Sequence, residues 1–368
     1  MTSLRLPLLE PHRASLETCV YCPKLSRAAC PVSNAEHSET VTPWGKMSLA
    51  FFAARGDVPL DREHAAPAWA CTGCYACRER CDHKNEVATV LTDARAELFA
   101  AEAAPEGARR VAAGFAARAV EIARAVDALD PAPKPEGAAA VLIGCSYARH
   151  APEVAADALR ATGKLLDKPV RALRSCCGLP LLHAGDRTGF MAAARRLVAE
   201  LADTTHVVAV DPGCARTLLV EYPRLGVEVP RPELFIDLAA RSQSRLRPMK
   251  DAPAFRYHDP CQLGRGLGRY EPPRTILARI GGRAPLEMVR HGQHAECSGG
   301  GGLLPATRPE TSRAIAEARI AEHRAEGGGV LVTACAESLR RFRKSGEPAE
   351  DIVSLVARAL LDDGVSRG

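Results

Sequence analysis

Cys71-Thr72-Gly73-Cys74-Tyr75-Ala76-Cys77-Arg78-Glu79-Arg80-Cys81 sets four cysteines in the order C-x2-C-x2-C-x3-C. The two short gaps wrap three thiolates around one compact centre, and the longer gap sends the fourth toward another, as in interlocked pairs of [4Fe–4S] cubanes. Gly73 permits the tight turn that aims backbone N–H groups at the sulfides. Zinc is the competing reading, but structural zinc prefers two separated C-x2-C pairs. The residue after the fourth cysteine is usually proline in such runs; here it is Asp82.

Upstream, Cys19-Val20-Tyr21-Cys22 and Cys30-Pro31 supply the other side of the pair. Interlocking predicts one complete set, Cys30 with Cys71, Cys74 and Cys77, and one incomplete set, Cys19, Cys22 and Cys81. The fourth position of the second set falls in the gap that holds Ser26, and a serine oxygen is a hard, poor substitute for a thiolate. A three-iron cluster, a Ser-ligated cubane, a labile four-iron cluster and an empty site all remain open for it.

The chain has 368 residues, 46% hydrophobic and 25% charged, so two or three ordinary globular domains are expected. A formal charge of +5 is spread along the length with no dominant basic tract, which argues against a nucleic-acid partner but leaves room for an acidic protein partner. No apolar run reaches the roughly 20 residues that cross a bilayer. The opening MTSLRLPLLEPHR lacks the apolar core and cleavage site of a secretory signal. A cytoplasmic location follows as an expectation, and there 14 cysteines mean metal or redox use rather than disulfides.

Residues 1–16 read as a loose arm, 17–129 as a ferredoxin-like segment with dense cysteines up to residue 86 and helical character beyond, and 130–137 as a stiff, Pro-rich linker. Helical character is expected at Gly45–Arg55, and one or two helices between Val87 and Leu129. Beyond the linker, strands at Val141–Ile143, Val207–Val210, Phe255–His258 and Val330–Thr333 alternate with helices at Glu153–Thr162, Asp186–Ala202, Pro272–Ile280 and Pro309–Glu326. That alternation predicts α/β units with a buried parallel sheet.

The α/β part repeats itself, which divides it into 138–245 and 246–368. Steps from Cys145 to Cys177 to Cys214 are 32 and 37 residues; steps from Cys261 to Cys297 to Cys335 are 36 and 38. Each cysteine follows a strand or lies in a Gly-rich loop, where α/β sheets hold their ligands. Cys176-Cys177-Gly178 needs a kinked backbone to aim two adjacent thiols at one site, and Gly178 supplies the freedom. Single buried cysteines are commonly inert apolar groups. Four at matching strand ends (Cys145, Cys176, Cys177 and Cys214) read instead as a metal or catalytic site. The second repeat is thinner: Cys261, Cys297 and Cys335, with Glu296 in place of a cysteine and His258 and Asp259 nearby, a mixed set that suits zinc or a modified cluster. Ser298 to Gly302 is a close-approach loop without the Gly-Lys-Ser/Thr ending of a phosphate loop.

These motifs together resemble a known family. The tandem Cys-Cys-Gly segments are similar to the cysteine-rich (CCG) domain found in iron–sulfur subunits of heterodisulfide reductase, of anaerobic glycerol-3-phosphate dehydrogenase and of glycolate and lactate oxidases. Cys30-Pro31, then Thr42-Pro43-Trp44-Gly45-Lys46-Met47, then the cysteine run resemble the helical module fused to those domains, which carries two four-iron clusters. His258-Asp259-Pro260-Cys261 and Pro273-Arg274 match the second repeat. The resemblance implies an α/β protein with a helical ferredoxin-like N-terminal domain and a pseudo-twofold pair of cysteine-rich units. In the heterodisulfide reductase, each repeat holds a disulfide-cleaving noncubane cluster. Here Asp211, Glu296 and Ser338 stand where cysteines would be, which points toward the oxidase branch and electron relay. The implied partner is an FAD-containing oxidase or dehydrogenase acting on a small hydroxy acid. The implied acceptor is quinone-linked or membrane-associated, with the chain peripheral on the inner membrane face. A thiol–disulfide reductase using Cys145, Cys176, Cys177 and Cys214, and a non-enzymatic metal-binding or redox-sensing protein, are the other readings.

Overall fold

A computed structural model describes residues 3–23, 26–130 and 137–360. The chain forms two compact units. Unit 1 is Met1–Arg118 with Gly178–Ala192 and Gln293–Ala321; unit 2 is Ala119–Cys177, Ala193–Gly292 and Glu322–Gly368.

Unit 1 is helical. Its main helices are Arg13–Val20, Pro43–Arg55, Val87–Ala100 and Glu106–Ala113. The second starts sharply because the Thr42 side chain accepts from the Gly45 N–H, with Pro43 in the first turn, and it ends at Gly56 in the left-handed region. Leu9, Leu16, Met47, Phe51, Trp69, Val90, Leu91 and Leu98 form the core.

Of the expected loose arm at residues 1–16, the described residues 3–16 instead pack into unit 1. Leu4, Leu6, Leu9 and Leu16 are all buried in that core, and each such leucine contributes about 1.5–3 kcal/mol. Polar ties hold the segment as well: the Arg5 N–H donates to the Ala54 carbonyl at 2.7 Å, and the Leu8 N–H to the Glu97 carboxylate at 2.6 Å. The stretch from Val87 to Leu129 holds three helices rather than one or two, the third being Phe115–Leu129. The chain breaks at Pro105 and Gly114, one unable to donate a helical hydrogen bond and the other a poor helix former. Of the expected Pro-rich linker, residues 131–136 lie outside the described residues.

Unit 2 contains two four-stranded parallel sheets. The first runs β2-β1-β3-β4, from Ala139–Leu142 (β1), Val170–Ala172 (β2), Val207–Ala209 (β3) and Glu233–Leu234 (β4). The second runs β6-β5-β7-β8, from Phe255–Tyr257 (β5), Leu286–Glu287 (β6), Val330–Thr333 (β7) and Ala349–Asp351 (β8). The identical order is the internal repeat made visible. The central strands β1, β3, β5 and β7 are the apolar runs read from the sequence. The four edge strands have only two or three residues and carry Arg171, Glu233, Glu287 and Glu350, so no apolar run marks them.

The units do not follow the repeat boundaries. Unit 1 takes Gly178–Ala192 from the first repeat and Gln293–Ala321 from the second. Among the described residues no helix is long and apolar enough to cross a membrane.

Candidate metal centres

In unit 1 the cysteine run folds as its spacing demands: Gly73 takes φ +66° and Tyr75 φ +60°, and a single helical turn, Ala76–Glu79, presents Cys77. Cys30 sits 6% exposed at the cap of helix Pro31–Glu36. Burial, then the neighbouring thiols of Cys71, Cys74 and Cys30, push the Cys77 thiol well above its ordinary value. The structure therefore brings Cys30 together with the closely spaced trio. The Gly73 N–H donates to the Cys71 sulfur at 3.4 Å, the kind of backbone contact that stabilises a thiolate.

Two buried cations frame this group: Lys46, which the sequence shows only as one member of the Thr42–Met47 motif, and Arg95, which carries no sequence signal. Lys46, 2% exposed, donates to the Cys30 sulfur at 3.2 Å and to the Ala70 carbonyl at 2.8 Å. Arg95, also 2% exposed, donates to the carbonyls of Ala68 at 2.9 Å, Cys71 at 2.9 Å and Gly302 at 3.2 Å. Among the described residues neither has a carboxylate partner. A buried charge without a counter-charge is strongly disfavoured, so the site suits an anionic occupant held by the four thiolates. The donor set fits a cubane. Among the described residues no three His, Cys, Asp or Glu side chains converge as ligands of a single ion would. A cluster is wider than an ion, since each thiolate grips its own iron.

The second group is more open. Burial, then Cys22 and Cys81, push the Cys19 thiol up to about 12, while the Asn85 side chain acts the other way. Cys22, Ser26 and Cys81 line one cavity of about 270 Å³, together with Tyr21, Asp82 and His83. Ser26 thus shares a cavity wall with two of the three thiols of the incomplete set. His83 in the same wall went unnoticed in the sequence, where a lone histidine after the run carries no spacing signal.

The glycine loop from Ser298 to Gly302 has a structural use in unit 1. A Cβ on Gly302 would collide with the Cys71 carbonyl, and one on Gly301 with the Thr72 carbonyl. The loop lies directly on the cysteine run, and Arg95 ties both together. Cys297, 3% exposed, accepts from the Gly299 N–H at 3.3 Å in the same loop.

In unit 2 the structure places Cys145, Cys176, Cys177 and Cys214 near one another. Cys145 opens helix Cys145–His150 after β1, Cys176 and Cys177 follow β2, and Gly178 takes φ +82° to turn the chain. The Cys177 and Cys214 sulfurs are 3.5 Å apart, too far for a disulfide bond. The Tyr222 hydroxyl anchors the turn by donating to the Cys177 carbonyl at 3.1 Å. The Cys177 contact favours the Cys214 thiolate, but burial, Asp211, Cys145 and Cys176 outweigh it and push the thiol up to about 12. A metal that replaces those protons would relieve the crowding.

Asp211, at a position the family resemblance gives to cysteine, caps a helix instead. One carboxylate oxygen accepts from Gly213 at 2.9 Å and Cys214 at 3.3 Å, and the other from Ala336 in the second repeat at 3.2 Å. The second-repeat set is divided: Cys261 and Cys335 belong to unit 2, and Cys297 to unit 1. Nor are its accessory groups free. Arg274 grips Asp259 through two contacts of 2.8 and 2.9 Å and Glu287 through two of 2.7 Å, while His258 faces Ser338 at 3.5 Å.

The arrangement defines a class. Residues 15–85 match the 4Fe-4S dicluster domain, and residues 139–219 and 255–338 match the cysteine-rich (CCG) domain. The chain belongs to the iron–sulfur proteins that join these domains. It is similar to a dihydromethanophenazine:CoB–CoM heterodisulfide reductase subunit of Methanosarcina acetivorans, with 32% identity over 202 residues, covering 50% of this chain and 49% of that one. A fumarate reductase (CoM/CoB) subunit of Methanothermobacter marburgensis is 27% identical over 375 residues, covering 95% of this chain and 73% of its own. Lactate utilization protein A 1 of Bacillus mycoides is 24% identical over 246 residues, covering 61% and 96%. The match thus spans about half the length of the heterodisulfide reductase relatives.

Proposed function

We propose that this chain is the electron-transfer subunit of an oxidoreductase. In this reading it relays electrons from a flavoprotein that oxidises a small hydroxy acid toward a quinone-linked or membrane-associated acceptor. Bound clusters supply one-electron carriers. Cys30, Cys71, Cys74 and Cys77 hold the first, and Cys19, Cys22 and Cys81 with Ser26 hold the second. The observation that carries the reading is the contrast between the two thiol groups: the first meets the buried cations Lys46 and Arg95, while Cys22 and Cys81 of the second line an open cavity beside Tyr21, which is 81% exposed. A carrier needs one centre shielded from water and one within reach of a partner.

The relatives named for heterodisulfide reductase, fumarate reductase and lactate utilization support an oxidoreductase setting. The chain purified without oxygen, mixed with a candidate flavoprotein and its hydroxy acid, should pass electrons to a dye only when both proteins are present. Turnover of the hydroxy acid by this chain alone would overturn the proposal.

A second reading has its own observation. Cys145, Cys176, Cys177 and Cys214 gather in unit 2, with two sulfurs 3.5 Å apart, and this site would serve a thiol–disulfide reductase. Stopped-flow mixing of the prereduced protein with disulfides decides it: absence of any oxidation rejects this alternative.

A further inference from the structure

Lys46 lies inside helix Pro43–Arg55, flanked by buried Gly45, Met47 and Ser48. Core positions of this kind rarely hold lysine, and a satisfied hydrogen bond to Ala70 alone would be served as well by a neutral amide. What singles out this ammonium is its other contact, the Cys30 sulfur at 3.2 Å. Its hydrogen-bond partners are a sulfur and a carbonyl, so the thiol group is the only anionic neighbour it has among the described residues.

We infer that Lys46 is the built-in counter-ion of the first cluster and sets that centre's reduction potential upward. The inference rests on the proposed ligation by Cys30, Cys71, Cys74 and Cys77. Reduction adds one electron and one negative charge to the centre, delivered by a one-electron donor. No bond is made or broken, and Lys46 keeps its proton in both states. A fixed positive charge on a ligand sulfur favours the more negative state, because hydrogen bonds to sulfur and local charge both tune cluster potentials. Burial strengthens the effect by excluding screening water and salt. The consequence is directional: the first centre, beside the buried ammonium, becomes the better electron acceptor, so electrons arriving at the second group run toward it.

The test uses the full chain, purified without oxygen, as wild type and as Lys46→Arg, Lys46→Gln and Lys46→Met. Iron and sulfide are quantified first, and each variant is then titrated with dithionite and mediators while the reduced signal is read by EPR. In the Gln and Met variants the reduced-to-oxidised ratio at a fixed potential should fall at least tenfold, which is about 59 mV for one electron. Lys46→Arg should stay near wild type. A Gln variant that retains its iron and titrates like wild type overturns the inference, since it keeps a donor and lacks only the charge.

If the neutral variants lose the cluster, wild-type protein labelled with 15N-lysine answers instead. Pulsed EPR of the reduced centre should show one lysine nitrogen coupled to it, and no coupling overturns the inference. Iron-free wild-type protein would instead overturn the underlying ligation.

Discussion

Gly302 and Ser26 show how single positions decide the two thiol groups. Gly302 has φ +61° and no room for a side chain beside the Cys71 carbonyl. The backbone strain alone costs a residue with a side chain about 1–3 kcal/mol, and here a collision adds to it. Gly302→Ala should therefore lower the thermal midpoint by more than Gly282→Ala, which has a similar φ of +66° but nothing within 4 Å. Equal midpoints in differential scanning calorimetry would remove the close approach as a cause. Ser26 shares a wall with Cys22 and Cys81, and the proposed second cluster takes it as its fourth ligand. Ser26→Cys should give a full four-iron signal and slow iron loss to a chelator by at least the roughly tenfold that changes around a ligand typically cause. An unchanged EPR spectrum and rate would show that Ser26 is no ligand position.

Elements in unit 2 are held by buried charge as much as by strands. Arg274 joins helix Glu271–Gly281 to the end of β5 through Asp259, and to β6 through Glu287. Asp259 is 3% exposed, so Arg274→Met leaves a buried carboxylate unpaired. The expected loss is about 3–5 kcal/mol in urea unfolding; a loss below about 1 kcal/mol would contradict the clamp. On β8, Asp351 is fully buried and accepts from the Tyr147 hydroxyl at 2.6 Å. Burial pushes its carboxyl up to about 7, whereas the unfolded chain has a value of about 3.9. The folded state thus holds the proton more tightly. Its stabilising contribution is present below about pH 4 and lost as pH rises through 7, at about 1.4 kcal/mol per pH unit between the two. Hydrogen exchange of the β7 and β8 amides should be slower at equal intrinsic rate at pH 5 than at pH 8. Asp351→Asn should flatten that difference, and a pH-independent wild type would refute it.

At the scale of the molecule, the chain returns to unit 1 twice after leaving it, with Gly178–Ala192 and with Gln293–Ala321. Segments that the repeat pattern assigns to the cysteine-rich pair thus complete the helical unit. Unit 1 also carries Lys46 and Arg95 buried without carboxylates among the described residues, so its stability is linked to whatever anion the thiols hold. Stripping iron with a chelator should speed hydrogen exchange in helices Pro43–Arg55 and Val87–Ala100 by about tenfold or more, the cost of leaving a buried charged group unsatisfied. Unchanged protection in the stripped protein would show that the cations are satisfied without a cluster.

The sequence by itself determined what depends on local spacing. The central strands β1, β3, β5 and β7 and the helices after them all follow from period and segment length. The repeat was likewise legible from the matching cysteine intervals, while the shared strand order of the two sheets came from the structure. Only the tertiary structure decided what depends on long-range burial. It set Leu4, Leu6 and Leu9 in the core, laid Gly302 on Cys71, and assigned Cys297 to unit 1 while Cys261 and Cys335 went to unit 2. Lys46 is the clearest case: in the sequence it is one lysine in an apolar stretch, and its meaning comes from Cys30, sixteen positions away in the chain but 3.2 Å in space. Periodicity reports which face of an element is apolar, whereas a buried charge is tolerated only where another segment brings its counter-charge, and spacing along the chain carries no record of that meeting.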